Sequence, residues 1–397
     1  TWTGIVRIAN PHPADGVDVQ PEIVYLETEE LPAPDPLQNR THRGNQARTG
    51  LWDTRGLKAA PVPLWTFKTG GAVRSSPLAV DGFVFVGSAD GNVYAIDAES
   101  GEEHWRRATG GSVECAPAVA DGVLYIGGGD LRLHALRTET GEPVWRSIAG
   151  QRPVTDTPAI GYGAVFAHIS GWRCGLLALD LETGEKIARY HKAPTPWNAR
   201  RHTVSLVNGV VTLFGPIDVR TGRPLPFEIH VSQAYPPAGT FAVDGDTLYV
   251  GRHNMLVATD MRTGKMLWHS FVEDWESAGG ELPARTKHRV TAGTACHDGN
   301  VYMASLDGSL YAFDATDGRK LWSFATGGPI ESAPAITPDG VVYTGSDDGS
   351  LYGVDAATGG KLWEFPTQGP VRTSACVADG TVYFGSNDGH VYAIRAN

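Results

Sequence analysis

The chain has 397 residues, a formal net charge of −11 at pH 7, 49 glycines and only 19% charged residues. This acidic balance argues against a nucleic-acid partner, which would require a clustered basic face. No stretch of eighteen apolar residues occurs, so the sequence predicts no transmembrane helix. Abundant glycine with few charges is typical of many strands joined by tight turns.

The first sixty residues differ in pattern from the rest of the chain. Two short apolar runs, at residues 4–8 and 22–26, have the composition of strands. Residues 31–36, Leu-Pro-Ala-Pro-Asp-Pro, are typical of an extended linker. We therefore predict an N-terminal extension with extra strands and a linker over residues 1–60, followed by one domain over residues 61–397.

From residue 61 onward the sequence repeats with a period near forty. Trp65, Trp105 and Trp145 are forty residues apart, and each full unit contains apolar runs bounded by Asp-Gly or Thr-Gly. This pattern predicts four strands joined by hairpins. We label them A to D, from the strand at Pro77 to the strand at Trp105. The glycines expected to supply positive φ in the first unit are Gly82, Gly91 and Gly101.

Eight such units can be counted, although alanine and proline replace tryptophan in two of them. The tryptophan position recurs at residues 65, 105, 145, 188, 226, 268, 322 and 363. A four-stranded unit cannot bury both of its apolar faces alone, whereas units arranged radially bury each face on a neighbour. The sequence therefore predicts an all-β fold, an eight-bladed β-propeller of four-stranded antiparallel blades with WD-like repeats. The regularly spaced tryptophans are expected to dock one blade on the next.

The two ends of the repeat region complement each other. Residues 371–395 contain strands A to C but no D, and residues 63–68 form a D strand alone. We therefore expect this N-terminal strand to complete the last blade. Such closure would protect two strand edges from pairing with other chains.

Two phrases of the repeat resemble the PQQ-type propeller repeat: residues 88–97, Ser-Ala-Asp-Gly-Asn-Val-Tyr-Ala-Ile-Asp, and residues 358–363, Thr-Gly-Gly-Lys-Leu-Trp. The lead-in at residues 42–50, His-Arg-Gly-Asn-Gln-Ala-Arg-Thr-Gly, is also typical of such proteins. The family includes quinoprotein alcohol dehydrogenases and the propeller lipoprotein of the bacterial outer-membrane β-barrel assembly machinery. The resemblance implies the propeller fold and an extracytoplasmic location, periplasmic or secreted.

The resemblance does not imply the PQQ cofactor. The chain has no adjacent Cys-Cys pair and no haem-attachment CxxCH motif, and it is shorter than the quinoprotein dehydrogenases. Turn residues and docking tryptophans belong to the scaffold and say little about activity. We therefore predict no cofactor and disfavour PQQ.

The repeats become irregular on one face. In a propeller the D-to-A and B-to-C loops open where the A strands begin, on what we call the top face, and the other turns lie on the bottom face. The spacing from the tryptophan position to the next A-strand position is 12 or 13 residues in the first three connections. It is 16, 14 and 26 on the way into blades 4, 5 and 6, and 12 in the last two.

Function tends to sit on loops that a rigid scaffold carries, so we expect a site on the top face over blades 3 to 6. Drift of old repeats would produce the same irregularity, since a longer surface loop costs little. Arginine in these loops suits carboxylate or phosphate, and tryptophan suits ring faces. Charges at the A-strand starts would either form a charged funnel or pair with each other.

The expected ligand-binding residues are Arg74, Glu114, Asp156, Trp172, Arg173, Trp197, Arg200, Arg201, Arg252, His253, Trp275, Arg289, Glu331 and Arg372. The candidates for acid–base catalysis are His202, His230, Tyr235 and His288. No two histidines have a short ligand spacing such as HxH or HExxH, so no metal site is predicted. The Asp-Gly runs at residues 347–349 and 387–389 resemble calcium loops but recur in most blades, and we expect them to be turns.

The four cysteines are expected to be small buried hydrophobic residues, because none lies in a CxxC pair. They are Cys115, Cys174, Cys296 and Cys376, of which all but Cys174 fall on predicted A strands. The cysteines therefore do not identify a cellular compartment.

Two classes of function remain open. The first is a non-catalytic binding or scaffold propeller that presents the top face of blades 3 to 6 to a protein, a glycan or a small anionic ligand. The alternative is a lyase- or hydrolase-type enzyme acting on an acidic sugar-like substrate, in which Arg201, Arg252 or Arg289 would neutralise a carboxylate. A PQQ-dependent dehydrogenase is the least favoured. Convergence of the histidines and arginines on one pocket would favour an enzyme, and a broad aromatic patch a binding propeller.

Overall fold

A computed structural model describes residues 40–41, 44, 49–149, 153–154, 156–169, 175–191, 205–207, 210–212, 216–218, 241–252, 255–272 and 293–396. Within these ranges every regular element is a β-strand, and the strands form eight antiparallel sheets. The all-β prediction is therefore confirmed. The glycines expected to have positive φ, Gly82, Gly91 and Gly101, have φ of 80°, 89° and 75°.

The strands follow the predicted order along the chain. Two of them precede the repeats: β1 (Arg40–Thr41) and β2 (Val62–Lys68). Blades 1 to 4 contain β3 (Leu78–Val80), β4 (Phe83–Gly87), β5 (Asn92–Asp97), β6 (Glu103–Ala108), β7 (Ala118–Ala120), β8 (Val123–Gly127), β9 (Arg132–Arg137), β10 (Pro143–Ile148), β11 (Ala159–Gly161), β12 (Ala164–Ile169), β13 (Gly175–Asp180), β14 (Lys186–His191), β15 (Ser205–Val207), β16 (Val210–Thr212) and β17 (Pro216–Asp218). Blades 5 to 8 contain β18 (Ala242–Asp244), β19 (Thr247–Arg252), β20 (Met255–Asp260), β21 (Met266–Phe271), β22 (Thr294–His297), β23 (Asn300–Ala304), β24 (Ser309–Asp314), β25 (Lys320–Ala325), β26 (Ala335–Ile336), β27 (Val341–Gly345), β28 (Ser350–Asp355), β29 (Lys361–Pro366), β30 (Cys376–Ala378), β31 (Thr381–Gly385) and β32 (His390–Arg395).

The sheets are arranged as the blades of a β-propeller. Within each sheet the repeat strands are hydrogen-bonded in the order A to D. The A strands of neighbouring blades lie beside one another, as β3 does with β30 and β22 does with β18 and β26. The A strands therefore form the inner ring and the D strands the outer rim. The count of eight blades stays a prediction with which the eight sheets agree, and the D strand predicted for blade 4 lies outside the described residues.

In the units that have them, tryptophans of the D strands dock one blade on the next, as predicted. The indole Nε1 of Trp105 in blade 1 donates a hydrogen bond of 2.8 Å to the carbonyl oxygen of Thr138 in blade 2. Its ring lies so close to Gly141 that a Cβ there would be 2.6 Å from a ring carbon. The same bond joins Trp65 to Ala98, Trp145 to Leu181, Trp268 to Ala315 and Trp322 to Ala356.

The N-terminal strand closes the ring. Strand β2 pairs antiparallel with β32, from Val62 opposite Arg395 to Lys68 opposite His390. Trp363 of blade 7 donates from Nε1 to the carbonyl oxygen of Leu57 at 2.5 Å. Leu57 thus supplies the carbonyl that a C-to-D turn supplies in other blades. These contacts confirm that the chain completes its last blade with its N-terminal part.

Residues 49–57, which we call the axial segment, begin on the inner edges of two A strands and end against blade 7 at Tyr343 and Trp363. The N–H of Cys296 in β22 donates to the carbonyl of Thr49, and the N–H of Ile336 in β26 donates to that of Gly50, both at 2.8 Å. The N–H of Trp52 returns a bond of 2.8 Å to the carbonyl of Ile336. Strand β1 occupies the corresponding inner edge of β7 in blade 2. Residues 40–41 and 49–52 therefore line the inner ring of A strands ahead of β2, while the domain boundary at residue 60 stays a prediction.

The axial segment leaves no room for a side chain at Gly50. A Cβ at this position would lie 2.7 Å from the Cβ of Ala295 and 2.8 Å from the carbonyl oxygen of Pro334, whereas a Cβ at Gly82 meets nothing within 4 Å. The two glycines have similar φ, 75° and 80°, so alanine strains the backbone equally at both. We expect Gly50→Ala to lower the free energy of unfolding by about 1–3 kcal/mol more than Gly82→Ala. Urea unfolding followed by circular dichroism measures the difference, and equal losses would contradict the axial packing.

The tryptophan bonds predict a second effect on stability. Trp105→Phe keeps an aromatic ring but removes the Nε1 donor, which leaves the carbonyl of Thr138 without that hydrogen bond. We expect a loss of about 1–3 kcal/mol, and a loss of about 3–5 kcal/mol for Trp105→Ala, which also opens a cavity. The same urea titration measures both. A Trp105→Phe variant as stable as the wild type would show that the indole bond does not hold the blades together.

Candidate functional site

Charged residues at the top-face mouth of blades 7, 8, 1 and 2 pair with one another. Nη1 of Arg74 in blade 1 is 3.1 Å from Oε1 of Glu114 in blade 2. Arg372 in blade 8 donates to both carboxylate oxygens of Asp347 in blade 7, at 2.8 and 2.7 Å. Its Nη1 is also 3.4 Å from Oε1 of Glu331. Four of the predicted ligand-binding residues are thus brought together as two clusters, each joining adjacent blades.

The two clusters differ in strength. The hydrogen bonds to Asp347 are the main cause that raises the pKa of Arg372, and the nearby charge of Glu331 adds to them against the effect of burial. A two-pronged contact of this kind fixes the guanidinium in one orientation. The pair of Arg74 and Glu114 is more exposed, with 41% and 32% of the side chains accessible, so it stabilises the fold by less than about 1 kcal/mol. A role of these residues in ligand binding stays a prediction.

Aspartates of the B-to-C hairpins serve as turn residues, as predicted for the runs at 347–349 and 387–389. Asp348 accepts hydrogen bonds from the backbone of Gly327 and Ser350 and from the hydroxyl of Tyr352, at 2.7, 2.9 and 2.8 Å. Asp388 is bound in the same way in blade 8. Burial raises the pKa of Asp388, but its hydrogen bonds, the strongest from Tyr392, outweigh burial and leave the pKa below its usual value.

Blade 3 contains a buried pair of ionisable side chains. Asp156 lies just before β11 and His168 lies in β12, and their side chains are 6% and 1% exposed. Nδ1 of His168 donates to Oδ2 of Asp156 at 2.5 Å. Asp156 was a predicted site residue, whereas His168 was not. The sequence contains a signal for His168, because most other repeats have glycine at its position, as at Gly127 and Gly345, and one has alanine, at Ala304.

Of the remaining predicted site residues, one ends a described strand and the others lie outside the described residues. Arg252 ends strand β19, and only its backbone is described. The others lie outside the described residues: Trp172, Arg173, Trp197, Arg200, Arg201, His202, His230, Tyr235, His253, Trp275, His288 and Arg289. The convergence of these residues over blades 3 to 6 therefore stays a prediction.

Three of the four cysteines lie in the described part of the chain. Cys115, Cys296 and Cys376 are buried, as predicted, and Cys174 lies outside the described residues. In the described ranges of the chain, nothing helical is long or apolar enough to span a membrane.

Comparison with known proteins places the chain among PQQ-type propellers. A family model described as outer membrane protein assembly factor BamB matches residues 51–250 and 252–397. The outer membrane protein assembly factor BamB of Burkholderia pseudomallei (strain K96243) is 25% identical over 283 residues, which cover 68% of this chain and 64% of that protein. The chain thus spans less than two thirds of the length of this relative.

Solved structures share the fold at low sequence identity. The quinohemoprotein alcohol dehydrogenase from Comamonas testosteroni has a TM-score of 0.77 and 17% identity, over 91% of this chain and 81% of that one. BamB from Moraxella catarrhalis has a TM-score of 0.68 and 19% identity, over 85% and 98% of the two chains. The family model, in contrast, matches nearly the whole described repeat region. The chain therefore belongs to the PQQ-type β-propeller family described as outer membrane protein assembly factor BamB.

Proposed function

We propose that this chain is a non-catalytic scaffold that works in outer-membrane protein assembly and binds a protein partner through the top face of blades 3 to 6. The observation that carries the proposal is the family match over residues 51–250 and 252–397. The relative in Burkholderia pseudomallei is named for the same process. A location in the periplasm follows from this role.

The contacts described at the top face support assigning the partner-binding surface to blades 3 to 6. Around blades 7, 8, 1 and 2, the charged side chains of Arg74 and Arg372 bind acidic residues of the neighbouring blade. The hairpin aspartates of blades 7, 8 and 1 bind backbone and tyrosine donors, and that of blade 2 binds His134. These polar groups hold the ring together, whereas the loops of irregular length belong to blades 3 to 6. Several long loops on one rim suit a protein partner, whose interface needs a broad surface.

The likeness to the alcohol dehydrogenase extends to the fold alone, because 17% identity carries no catalytic residue with it. A scaffold role requires no chemical step. The enzymatic alternative would take its acid or base from His202, His230, Tyr235 or His288, and these residues lie outside the described ones.

A binding experiment with matched variants tests the proposal. The purified full chain is immobilised, and the outer-membrane protein assembly complex purified from the same bacterium is the probe in biolayer interferometry. We expect Trp172→Ala and Trp275→Ala to weaken binding by about tenfold or more, because buried aromatic residues carry much of an interface. Glu99→Ala, on the exposed bottom turn of blade 1, is the control and should bind as the wild type does.

Three outcomes would contradict the scaffold role. The wild-type chain could fail to bind the complex, or Glu99→Ala could weaken binding as much as the tryptophan variants do. Turnover of an acidic oligosaccharide by the purified chain would favour the enzymatic alternative instead.

A further inference from the structure

We propose that the buried pair of Asp156 and His168 is a positioning element that fixes the bases of the top-face loops of blade 3, and with them one side of the docking surface. The part of this inference that concerns docking rests on the proposed function. The part that concerns the loops stands on the geometry of blade 3 alone.

In blades 7 and 8 the same place is filled by a hydroxyl and a glycine. Oγ of Ser332 in blade 7 donates to the carbonyl of Gly345 at 2.9 Å and accepts from its N–H at 2.8 Å. In blade 8, Oγ1 of Thr373 makes the same two bonds with Gly385, both at 2.9 Å. A small side chain before strand A thus holds the end of strand B.

The strand register shows that Asp156 and His168 stand at these positions in blade 3. Strands β11 and β12 pair Ala159 with Phe166, as β30 and β31 pair Cys376 with Tyr383. Asp156 precedes Ala159 by the three residues that separate Thr373 from Cys376, and His168 follows Phe166 as Gly385 follows Tyr383. Blade 3 therefore has aspartate and histidine at the two positions where blade 8 has Thr373 and Gly385.

Histidine in place of glycine at this position also affects the junction with the next blade. A Cβ at Gly345 would lie 2.4 Å from Cγ1 of Val371, which leads into blade 8, and a Cβ at Gly127 would lie 2.5 Å from Cγ1 of Val154. A side chain at the position of His168 would therefore collide with a valine placed as Val154 and Val371 are. Before blade 4, the sequence has Arg200 in place of that valine. This junction lies at the start of the irregular loops.

The energetic cost of burying the pair indicates that it has a role specific to blade 3. A buried ionisable pair loses the hydration of both groups, and replacing such a pair by a well-packed neutral one is often neutral or stabilising. The hydroxyl and glycine of blades 7 and 8 show that the propeller scaffold works without the pair. Buried ionisable groups that a scaffold does not require are concentrated at functional sites.

The position of the pair within blade 3 indicates what this role is. Asp156 follows the loop that leads into blade 3, and His168 stands one residue before the end of β12 at Ile169. The B-to-C loop with Trp172 and Arg173 begins directly after this strand. The bond of 2.5 Å between the two side chains therefore ties the bases of both top-face loops of blade 3. Because the carboxylate binds Nδ1, it also fixes the orientation of the imidazole ring.

Replacing Asp156 and His168 by the serine and glycine that blade 7 has at these positions tests the proposal. The variants are D156S, H168G and the double variant D156S/H168G in the full chain, with D156N as the conservative replacement, since the amide oxygen of asparagine can still accept from Nδ1. S332A removes the equivalent bond in blade 7 and is the matched control. Each single change D156S or H168G leaves one buried polar group without this partner, so both should lower Tm more than the double change does.

Two readouts separate positioning from general stability. Trypsin cleavage mapped by mass spectrometry reports on the B-to-C loop of blade 3 at Arg173, and biolayer interferometry reports on binding to the purified outer-membrane protein assembly complex. We expect D156S/H168G to be cleaved at this site on the order of tenfold faster than the wild type and to bind the complex about tenfold more weakly. D156N and S332A should resemble the wild type in both readouts.

Each outcome decides a separate point. Cleavage of D156S/H168G at the wild-type rate would overturn the positioning role, whatever the binding result. Faster cleavage together with unchanged binding would overturn the link to docking. Faster cleavage in a chain whose wild type does not bind the complex would support positioning and contradict the proposed function. Equal effects of S332A would show that the loss is one of general stability and would overturn the inference.

Discussion

Each blade of this propeller needs a neighbour on both of its faces, so the fold depends on joining the two ends of the chain. The join is made by hydrogen bonds between β2 and β32 and by the indole of Trp363, which binds the carbonyl of Leu57. The same indole-to-carbonyl bond recurs between ordinary blades. The seam is therefore built like every other junction, although its residues lie at opposite ends of the sequence.

The axial segment extends this closure into the interior. Its backbone bonds to Cys296 and Ile336 use the inner edges of A strands, and Leu57 donates to the hydroxyl of Tyr343 at 2.7 Å before β2 begins. One continuous stretch thus holds blades 6, 7 and 8. With the ring secured in this way and by the charge pairs of blades 7, 8, 1 and 2, the loops of the remaining arc can vary without loss of the fold.

The sequence predicts those features that the repeat imposes, and it misses those that depend on backbone bonds or on one altered unit. The docking role of Trp105 and the completing strand β2 follow from the forty-residue period. The inner position of Gly50 does not, because its bonds are made by backbone groups that every residue carries. His168 does not stand out by metal-ligand spacing, and only its alignment with Gly345 distinguishes it. The irregular loops do not follow the forty-residue period, so their arrangement does not follow from it.

Native-state hydrogen exchange tests most directly whether the N-terminal part of the chain closes the ring. If it does, the amides of Trp52 and Leu57, which donate to Ile336 and Tyr343, exchange as slowly as the amide of Tyr302, which lies in an inner strand of blade 6 between Ala295 and Ala312. Exchange of Trp52 and Leu57 as fast as that of the exposed turn at Gly82 would show that the axial segment is not part of the folded ring.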